Sequence, residues 1–409
     1  MSLLVTGICP GFSQQVSKTG MYGWQSINTA TTQNLIKVHF ADPSTGYISG
    51  AGGLVMKSSN GGETWSKKII PSLSDFWCVY ASSPDDVFVG AWDTIYSTHN
   101  GGASWSGIHT PTLNFNINDI QFLNPSEGVA MIAASTCLTT SDGGETWSPK
   151  GGAGIIEDFY GSHFLTKDYG FGVGDCGLIA KTIDGGETWT IYPWDGPVTW
   201  TCIKIYDVYF TSPDNGFAVA DSGYLYRTTN AGVQWSKIVL AEETDTLKSI
   251  CFVNSRIGYI AGSRGTMLKT EDGGDNWFPE WVPTTENLNS VYFVSDSLGF
   301  TVGGNGTILI YRSPASGTGP VLTNPLEPVT IYPNPVKDEC TIEISLEEPT
   351  RVDIDLYQID GRWVRNLARQ SFDPGTHRLP ATLDGIAKGP YICRVTAGQL
   401  VKQKRLMVY

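Results

Sequence analysis

The 409-residue chain lacks a hydrophobic run of the ~18 residues that a membrane-spanning helix needs, and it is short of basic residues. Lys and Arg number 27 against 40 Asp and Glu, which gives a formal net charge of −13. The excess lies in residues 1–320, with 16 basic and 29 acidic residues, whereas residues 321–409 contain 11 of each. Because such acidity repels phosphate backbones and anionic headgroups, we expect no nucleic acid partner and no attachment to an anionic membrane.

Cysteine is also sparse and scattered. The eight cysteines include no CxxC pair, so the sequence indicates neither a zinc site nor a dense disulfide framework. We predict no metal and no cofactor. Cys340 and Cys393 lie at apolar-facing positions of predicted strands. They form a disulfide if those strands are neighbours, or remain two buried free thiols, and the sequence leaves both possibilities open.

Glycine and tryptophan, by contrast, are abundant and recur together in one repeated motif. The chain contains 47 Gly and 13 Trp, and "TSDGGETW" at 140–147 returns as "TIDGGETW" at 182–189. Related octads surround the six tryptophans Trp65, Trp105, Trp147, Trp189, Trp235 and Trp277, spaced 40, 42, 42, 46 and 42 residues apart. A period near 42 residues with short apolar runs predicts the four-stranded blade of a β-propeller.

The number of blades follows from the first strand of each repeat. Seven alternating runs open repeats, from "IKVHF" to "NSVYF", but the seventh repeat ends at "GTILIYRSP" without a motif or a fourth strand. The segment "YGWQSI" at 22–27 has the form of a fourth strand and precedes the first repeat. We therefore predict an all-β fold in which residues 21–313 form a seven-bladed propeller, closed by a strand from its own beginning.

The two ends of the chain predict export. Residues 1–13 are similar to the end of a secretory signal peptide whose basic start is missing. Residues 314–328 are rich in Pro, Gly and Ser and predict a linker. Residues 329–409 alternate as in "CTIEIS", "RVDIDLYQ" and "YICRVTA", which predicts a small antiparallel β-sandwich.

Both predicted domains resemble known families. The glycine-tryptophan motif resembles the Asp-box, or BNR, repeat of sialidases, sortilin-like receptors, xyloglucanase-type glycosidases and the photosystem II assembly/stability factor family. The series "YPNPVKD", "VDIDLYQIDGRWV", "GTHRL", "KGPYICRV" and "QKRLMVY" resembles the C-terminal sorting domain of type IX secretion cargo. That second resemblance implies a Bacteroidetes-type bacterium, Sec export to the periplasm, passage to the outer-membrane surface or beyond, and interaction of residues 329–409 with the secretion machinery. We expect a monomer.

The repeated motif itself is expected to be structural. The first polar side chain of each turn accepts backbone N–H bonds within that turn, the Gly-Gly pair permits positive φ, and the tryptophan packs between blades. A calcium loop is the alternative, but each motif offers only one or two carboxylates. The structural set comprises Asn60, Asn100, Asp142, Asp184, Asn230 and Asp272.

Propeller resemblance places a ligand at one mouth of the central channel, opposite the motif turns. The loops of that mouth combine aromatic rings with carboxylates and amides, which suits a sugar or a peptide. The plainer alternative is that these tryptophans pack between blades. The predicted binding residues are Trp77, Trp92, Asp93, Asp158, Asp175, Trp194, Trp200, Asp221, Arg264, Trp281 and Asn305.

Three classes of hydrolase can be compared with the residues that the propeller sequence contains. A sialidase needs a cluster of arginines around its substrate, and the propeller sequence has four scattered ones. No nucleophile elbow supports a Ser/His/Asp hydrolase. The rival is a secreted glycoside hydrolase using two aspartates, Asp119 and Asp207, at the starts of first strands. We expect instead a non-catalytic propeller that binds a glycan, peptide or protein; a purely structural surface protein remains a third class.

Overall fold

The computed structural model describes residues 23–70, 72, 74–109, 115–132, 136–151, 157–192, 203–241, 244–313, 329–334, 336–346, 348–358, 363–397 and 400–408. The proposed signal peptide at 1–13 and the linker at 314–328 lie outside them. No helix among the described residues is long and apolar enough to cross a membrane. The fold is all-β, as the repeat predicts, and the described residues form nine antiparallel sheets.

Seven of the sheets have four strands each and form the blades, with the first strand nearest the central channel. The strands of blade 1 are Leu35–Phe40, Gly46–Gly50, Leu54–Ser58 and Ser66–Ile69. Those of blade 2 are Cys78–Ala81, Asp86–Gly90, Thr94–His99 and Ser106–His109. Those of blade 3 are Ile117–Phe122, Gly128–Ile132, Thr136–Thr140 and Ser148–Gly151. Those of blades 4 and 5 are Phe159–Phe164, Gly170–Gly174, Ile179–Thr182 and Thr190–Ile191; Ile205–Phe210, Gly216–Ala220, Tyr224–Thr228 and Ser236–Val239.

Blades 6 and 7 follow the same plan. Their strands are Leu247–Phe252, Gly258–Gly262, Met267–Thr270 and Phe278–Pro279; Leu288–Ser295, Leu298–Gly303, Ile308–Arg312 and Gly23–Ile27. Short 3₁₀ turns join the second and third strands in three blades, at Asp175–Gly177, Ser263–Gly265 and Gly304–Gly306.

Blade 7 is completed from the start of the chain, as the sequence predicts. Its fourth strand, Gly23–Ile27, pairs antiparallel with the third, Ile308–Arg312. Trp24 lies opposite Tyr311 and Ile27 opposite Ile308. The third strand therefore has no free edge, and the ring of sheets is closed through non-covalent pairing of its two ends.

The core consists of apolar layers between successive blades. Between blades 7 and 1, Phe300 stacks on Phe40 with ring centroids 4.3 Å apart, and Trp65 meets both rings edge-on. The same three-ring arrangement recurs between blades 2 and 3 with Phe88, Phe122 and Trp147. In four of the six motifs the tryptophan thus covers a stacked phenylalanine pair contributed by two blades; these are Trp65, Trp147, Trp235 and Trp277.

Hydrogen bonds also join neighbouring blades near the C-terminal ends of their first strands. A residue near the end of the first strand uses its side chain to bond the backbone of the next blade's first strand, as Gln121 does by accepting the N–H of Phe164 and donating to its carbonyl. Five other blades repeat this contact, through His39 to Ala81, Tyr80 to Phe122, His163 to Phe210, Tyr209 to Phe252 and Tyr292 to Phe40.

The C-terminal residues form two facing sheets around a separate core. One contains Thr330–Tyr332, Glu339–Leu346 and Gly375–Thr382, and the other contains Trp363–Phe372, Thr350–Gln358, Gly389–Ala397 and Leu400–Val408. Cys340 and Cys393 belong to this core as buried free thiols, which resolves the alternative that the sequence left open. Cys176 of the propeller is disulfide-bonded.

Candidate functional site

The propeller presents two different faces, and backbone hydrogen bonds identify them. On one face, the turns between second and third strands contact the loops that enter first strands: Gly223 donates to the carbonyl of Asp245 at 2.7 Å, and Gly265 to that of Glu286 at 2.9 Å. On the other, a motif turn contacts a turn between first and second strands, where Gly61 donates to Ser44. We call the first face the mouth.

The motif turns on the opposite face are self-contained. Asp142 Oδ1 accepts the N–H of Thr146 at 3.0 Å and the hydroxyl of Thr140 at 2.7 Å, and hydrogen bonds of this kind, from Thr146 first, lower the pKa of Asp142 to about 2. Gly144 has φ of +90°, and a Cβ there would meet Phe88 at 2.4 Å. Corresponding bonds surround Asn60, Asn100, Asp184, Asn230 and Asp272. No group of three or more metal-ligating side chains occurs in the part of the chain that the structure describes.

At the mouth, the turns between second and third strands have a strained conformation. Five of the six described non-glycine residues with positive φ occupy equivalent places in these turns; the sixth, Ala231, lies in a motif turn. The five are Asp93, Cys176, Ser222, Arg264 and Asn305, with φ between 52° and 60°. A left-handed conformation in a residue with a Cβ costs energy and is commonest at functional sites.

Exposed aromatic residues concentrate where blades 2 and 3 meet the mouth. Trp77, Trp92 and Phe115 are 36%, 48% and 39% exposed. The backbone holds the three together, because Trp77 donates to Gly90 at 2.9 Å and Asp93, next to Trp92, donates to Phe115 at 2.9 Å. We call Trp77, Trp92 and Phe115 the aromatic sector. Phe115 was not anticipated from the sequence.

The sequence predicts three further tryptophans as binding residues, and the structure describes one of them. Trp281 is 54% exposed and comes shortly after the fourth strand of blade 6. The residue before it, Glu280, donates its N–H to the carbonyl of Met267, at the mouth end of the third strand. Trp194 and Trp200 lie outside the described residues. Asp158 enters blade 4, and its carbonyl accepts the N–H of Asp175 at 3.0 Å.

A β-bulge at the start of the first strand recurs in most blades and supplies side chains that were not predicted from the sequence. In six blades the pairing of first and second strands slips by one residue just after the first strand begins. A β-bulge of this kind re-aims the extra residue, and bulges are common beside binding sites. The bulge residues are Ile36, Asn118, Tyr160, Tyr206, Lys248 and Asn289.

Two of these bulge residues link the predicted aspartates of blades 4 and 5. Tyr160 donates to Asp175 Oδ2 at 2.9 Å, and Tyr206 donates to Asp221 Oδ1 at 3.2 Å. The two phenol rings stack with centroids 5.8 Å apart. Lys204 Nζ lies 2.9 Å from Tyr160 Oη and 3.3 Å from Asp175 Oδ1. This network raises the pKa of Lys204, so the group is a fixed cation.

Blade 6 contributes a second charged pair and a lysine. Arg264 Nη2 lies 2.6 Å from Asp245 Oδ1, so the predicted arginine is neutralised within its own blade. Lys248 donates to Asn289 Oδ1 at 2.8 Å. Asn289 in turn donates through Nδ2 to the carbonyl of Leu35 at 2.7 Å, which connects blades 6, 7 and 1 at the mouth.

Below the mouth, the rival catalytic residues take part in blade-to-blade contacts. Asp119 Oδ2 accepts both the N–H and the hydroxyl of Ser162, at 3.0 and 2.9 Å, and Asp119 Oδ1 lies 3.4 Å from Lys37 Nζ. Asp207 Oδ2 accepts the N–H of Ile250 at 3.0 Å, and burial raises the pKa of Asp207. Each carboxylate therefore binds the backbone of the next blade.

Comparison with known proteins gives the family of each domain. The family model described as photosynthesis system II assembly factor YCF48 matches residues 16–113, 102–195 and 192–279. The model of the secretion system C-terminal sorting domain matches residues 330–409. No curated protein matches the chain.

Solved structures agree on the fold. A structure of YCF48 bound to D1 peptide is 18% identical with a TM-score of 0.62, covering 73% of this chain and 100% of that one. YCF48 from Cyanidioschyzon merolae is 19% identical with a TM-score of 0.59, covering 71% and 98%. U3-55K is 10% identical with a TM-score of 0.59, covering 71% and 98%. At such identities the likeness establishes the propeller and no more.

The sorting domain indicates type IX secretion to the cell surface or the exterior. The three propeller matches together span residues 16–279, well over half of the chain. The chain belongs to the YCF48-like family of photosynthesis system II assembly factor propellers and carries a secretion system C-terminal sorting domain.

Proposed function

We propose that this chain is an exported, non-catalytic binding protein whose propeller holds a polypeptide segment across the mouth. The observation that carries the proposal is the aromatic sector, Trp77, Trp92 and Phe115, exposed beside a rim of hydrogen-bonding side chains. Exposed aromatic rings at a concave mouth supply most of the binding energy in peptide and protein recognition.

The chemistry of the rim favours a polypeptide over the other partner classes. The aromatic sector offers apolar contact for side chains, while Tyr160, Tyr206 and Asn118 place phenol and amide groups where a peptide backbone can donate and accept. One similar propeller is described with a bound peptide, D1. The photosystem II factor family, which the propeller sequence resembles, has a basic arginine patch. The scattered arginines of this propeller do not match that patch, so we do not propose a chlorophyll-protein partner.

The rival function, glycoside hydrolysis by Asp119 and Asp207, has less support. An inverting glycosidase needs one protonated carboxyl and one free carboxylate with a water between them. Asp119 and Asp207 instead accept backbone N–H groups of the next blade, at 3.0 Å in both cases. We infer that both maintain the ring of blades.

An array experiment distinguishes the classes. The purified full chain is applied to parallel arrays of peptides and of glycans, and any bound glycan is tested for release of reducing sugar. We expect saturable binding to peptides, reduced by Trp92→Ala and unchanged by Trp363→Ala, an exposed tryptophan of the C-terminal domain. Binding to glycans alone, or sugar release that Asp119→Asn abolishes, would overturn the proposal.

A further inference from the structure

We propose that Lys248 is the carboxylate-binding residue of the mouth, and that the polypeptide held there presents a carboxylate, from its C-terminus or an acidic side chain, to the Lys248 ammonium. The inference rests on the proposed function and specifies the chemistry of its partner. It comes from a comparison of the cations that the described part of the mouth contains.

Two of those cations already have a carboxylate, and so does Lys37 just below the mouth. Lys37 Nζ lies 3.4 Å from Asp119, Lys204 Nζ lies 3.3 Å from Asp175, and Arg264 lies 2.6 Å from Asp245. Lys248 differs, since among the described residues its only hydrogen-bond partner is the neutral Asn289 Oδ1 at 2.8 Å. An ammonium carries three donors, so two remain for a ligand.

Asp221, the carboxylate whose charge acts on Lys248, already accepts other hydrogen bonds. Its Oδ1 accepts the hydroxyls of Tyr206, at 3.2 Å, and Thr246, at 3.0 Å, and its Oδ2 accepts the N–H of Lys204 at 3.2 Å. Asp221 influences Lys248 through space without a direct ion pair. A rotation of Asp221 toward Lys248 would break these three bonds, so the ammonium is left for an incoming anion.

Hydrogen bonds hold the partner of Lys248 in place. Lys248 is the bulge residue of its first strand. Its partner Asn289 is held by Nδ2 bonds to Asn34 Oδ1 at 2.8 Å and to the carbonyl of Leu35 at 2.7 Å, which leaves Asn289 Oδ1 facing Lys248. Preorganised donors of this kind bind an anion with little loss of conformational entropy.

Partial burial makes the ammonium a stronger anion receptor than a surface lysine. Burial lowers the pKa of Lys248, which shows that its charge is incompletely compensated in the free protein. A carboxylate that replaces the lost hydration forms a charge-assisted hydrogen bond. Because the chain carries a net charge of −13, a mostly apolar segment with one carboxylate suits this mouth better than a polyacidic one.

The test uses two probes that differ only in the carboxylate, N-acetyltryptophan and N-acetyltryptophanamide. The lysines of the full chain are dimethylated with ¹³C, which retains their charge, and the Lys248 resonance is assigned from its absence in Lys248→Gln. We expect N-acetyltryptophan to shift this resonance saturably and the amide to leave it in place. Lys237, on the outer strand of blade 5, is the control and should respond to neither.

Peptides from the array distinguish this inference from the proposed function. Matched peptides ending in a free acid or a carboxamide should differ about 10- to 100-fold in affinity, and Lys248→Gln, unlike Lys237→Gln, should remove the difference. Equal affinity of acid and amide forms, with binding still sensitive to Trp92→Ala, would overturn the Lys248 inference alone. Failure of all peptides to bind, or binding of uronic acid glycans instead, would overturn both.

Discussion

Trp24 and Tyr311 face each other across the antiparallel strand pair that completes blade 7, with ring centroids 5.4 Å apart. Trp24 also meets Tyr259 and Phe293 edge-on, at 6.1 and 5.8 Å, so its indole lies in the apolar layer between blades 6 and 7. The closure of the ring therefore depends on a side chain near the start of the described chain.

Removal of the Trp24 ring should weaken this closure. We expect Trp24→Ala to lower the free energy of unfolding of the propeller by about 3–5 kcal/mol, because it leaves a cavity among aromatic rings. Trp24→Phe should cost less, since a ring remains and the indole N–H of Trp24 has no hydrogen-bond partner among the described residues. Urea unfolding followed by tryptophan fluorescence measures both; equal midpoints for Trp24→Ala and the wild type would contradict the role of this strand.

Acid should weaken the contacts that two histidines make between blades. Nδ1 of His39 accepts the N–H of Ala81 at 3.2 Å, and Nδ1 of His163 that of Phe210 at 2.8 Å, so both rings must be neutral. Burial lowers the pKa of His39 to about 3 and of His163 to about 4. Since an unfolded histidine titrates near 6.5, the unfolded chain binds more protons below that pH.

The contribution of each histidine to the free energy of unfolding is therefore complete above pH ~6.5. It falls as the pH drops toward 4, by an amount on the order of 1–3 kcal/mol for each histidine. Blade 3 supplies the control, because Gln121 makes the equivalent contact without a titrating group. His39→Gln and His163→Gln should keep the contact and flatten the dependence of stability on pH. An unchanged pH profile in the double variant would show that other groups control it.

The Lys37–Asp119 pair should stabilise the propeller. We expect Asp119→Asn to lower the unfolding free energy by about 1.5–3 kcal/mol, because a half-buried ammonium loses its carboxylate and Ser162 loses a charged acceptor. Lys37→Met with Asp119→Asn should cost less than the sum of the single changes. Urea unfolding of the four proteins completes the cycle; strict additivity would mean that the two groups do not interact.

Calcium should have no effect on the motif turns. Their carboxylates, such as Asp142, are already bonded to threonine hydroxyls and backbone N–H groups. We therefore expect the melting temperature of the full chain to be the same in EDTA and in millimolar calcium. A calcium-dependent rise, lost in Asp142→Asn, would indicate a metal-binding role instead.

The fold was largely predictable because its signals are periodic. The motif spacing indicated the blades, and the unpaired seventh repeat together with Trp24 indicated how the ring closes. The bulge residues Tyr160, Tyr206 and Lys248 were missed, since each slip lies at the second residue of a short strand, too close to the strand end for the change of alternation to be recognised. Likewise, the sequence offered no sign that Asp119 would bind Ser162 of the next blade, which is a contact between distant residues.

Hydrogen–deuterium exchange with a bound array peptide tests most directly whether the mouth is the binding site. We expect slower exchange in the mouth turns at Ala91–Asp93, Asp175–Gly177 and Asp221–Gly223, and unchanged exchange in the motif turns near Asp142 and Asp184 on the opposite face. Protection of the motif turns with none at the mouth would contradict it.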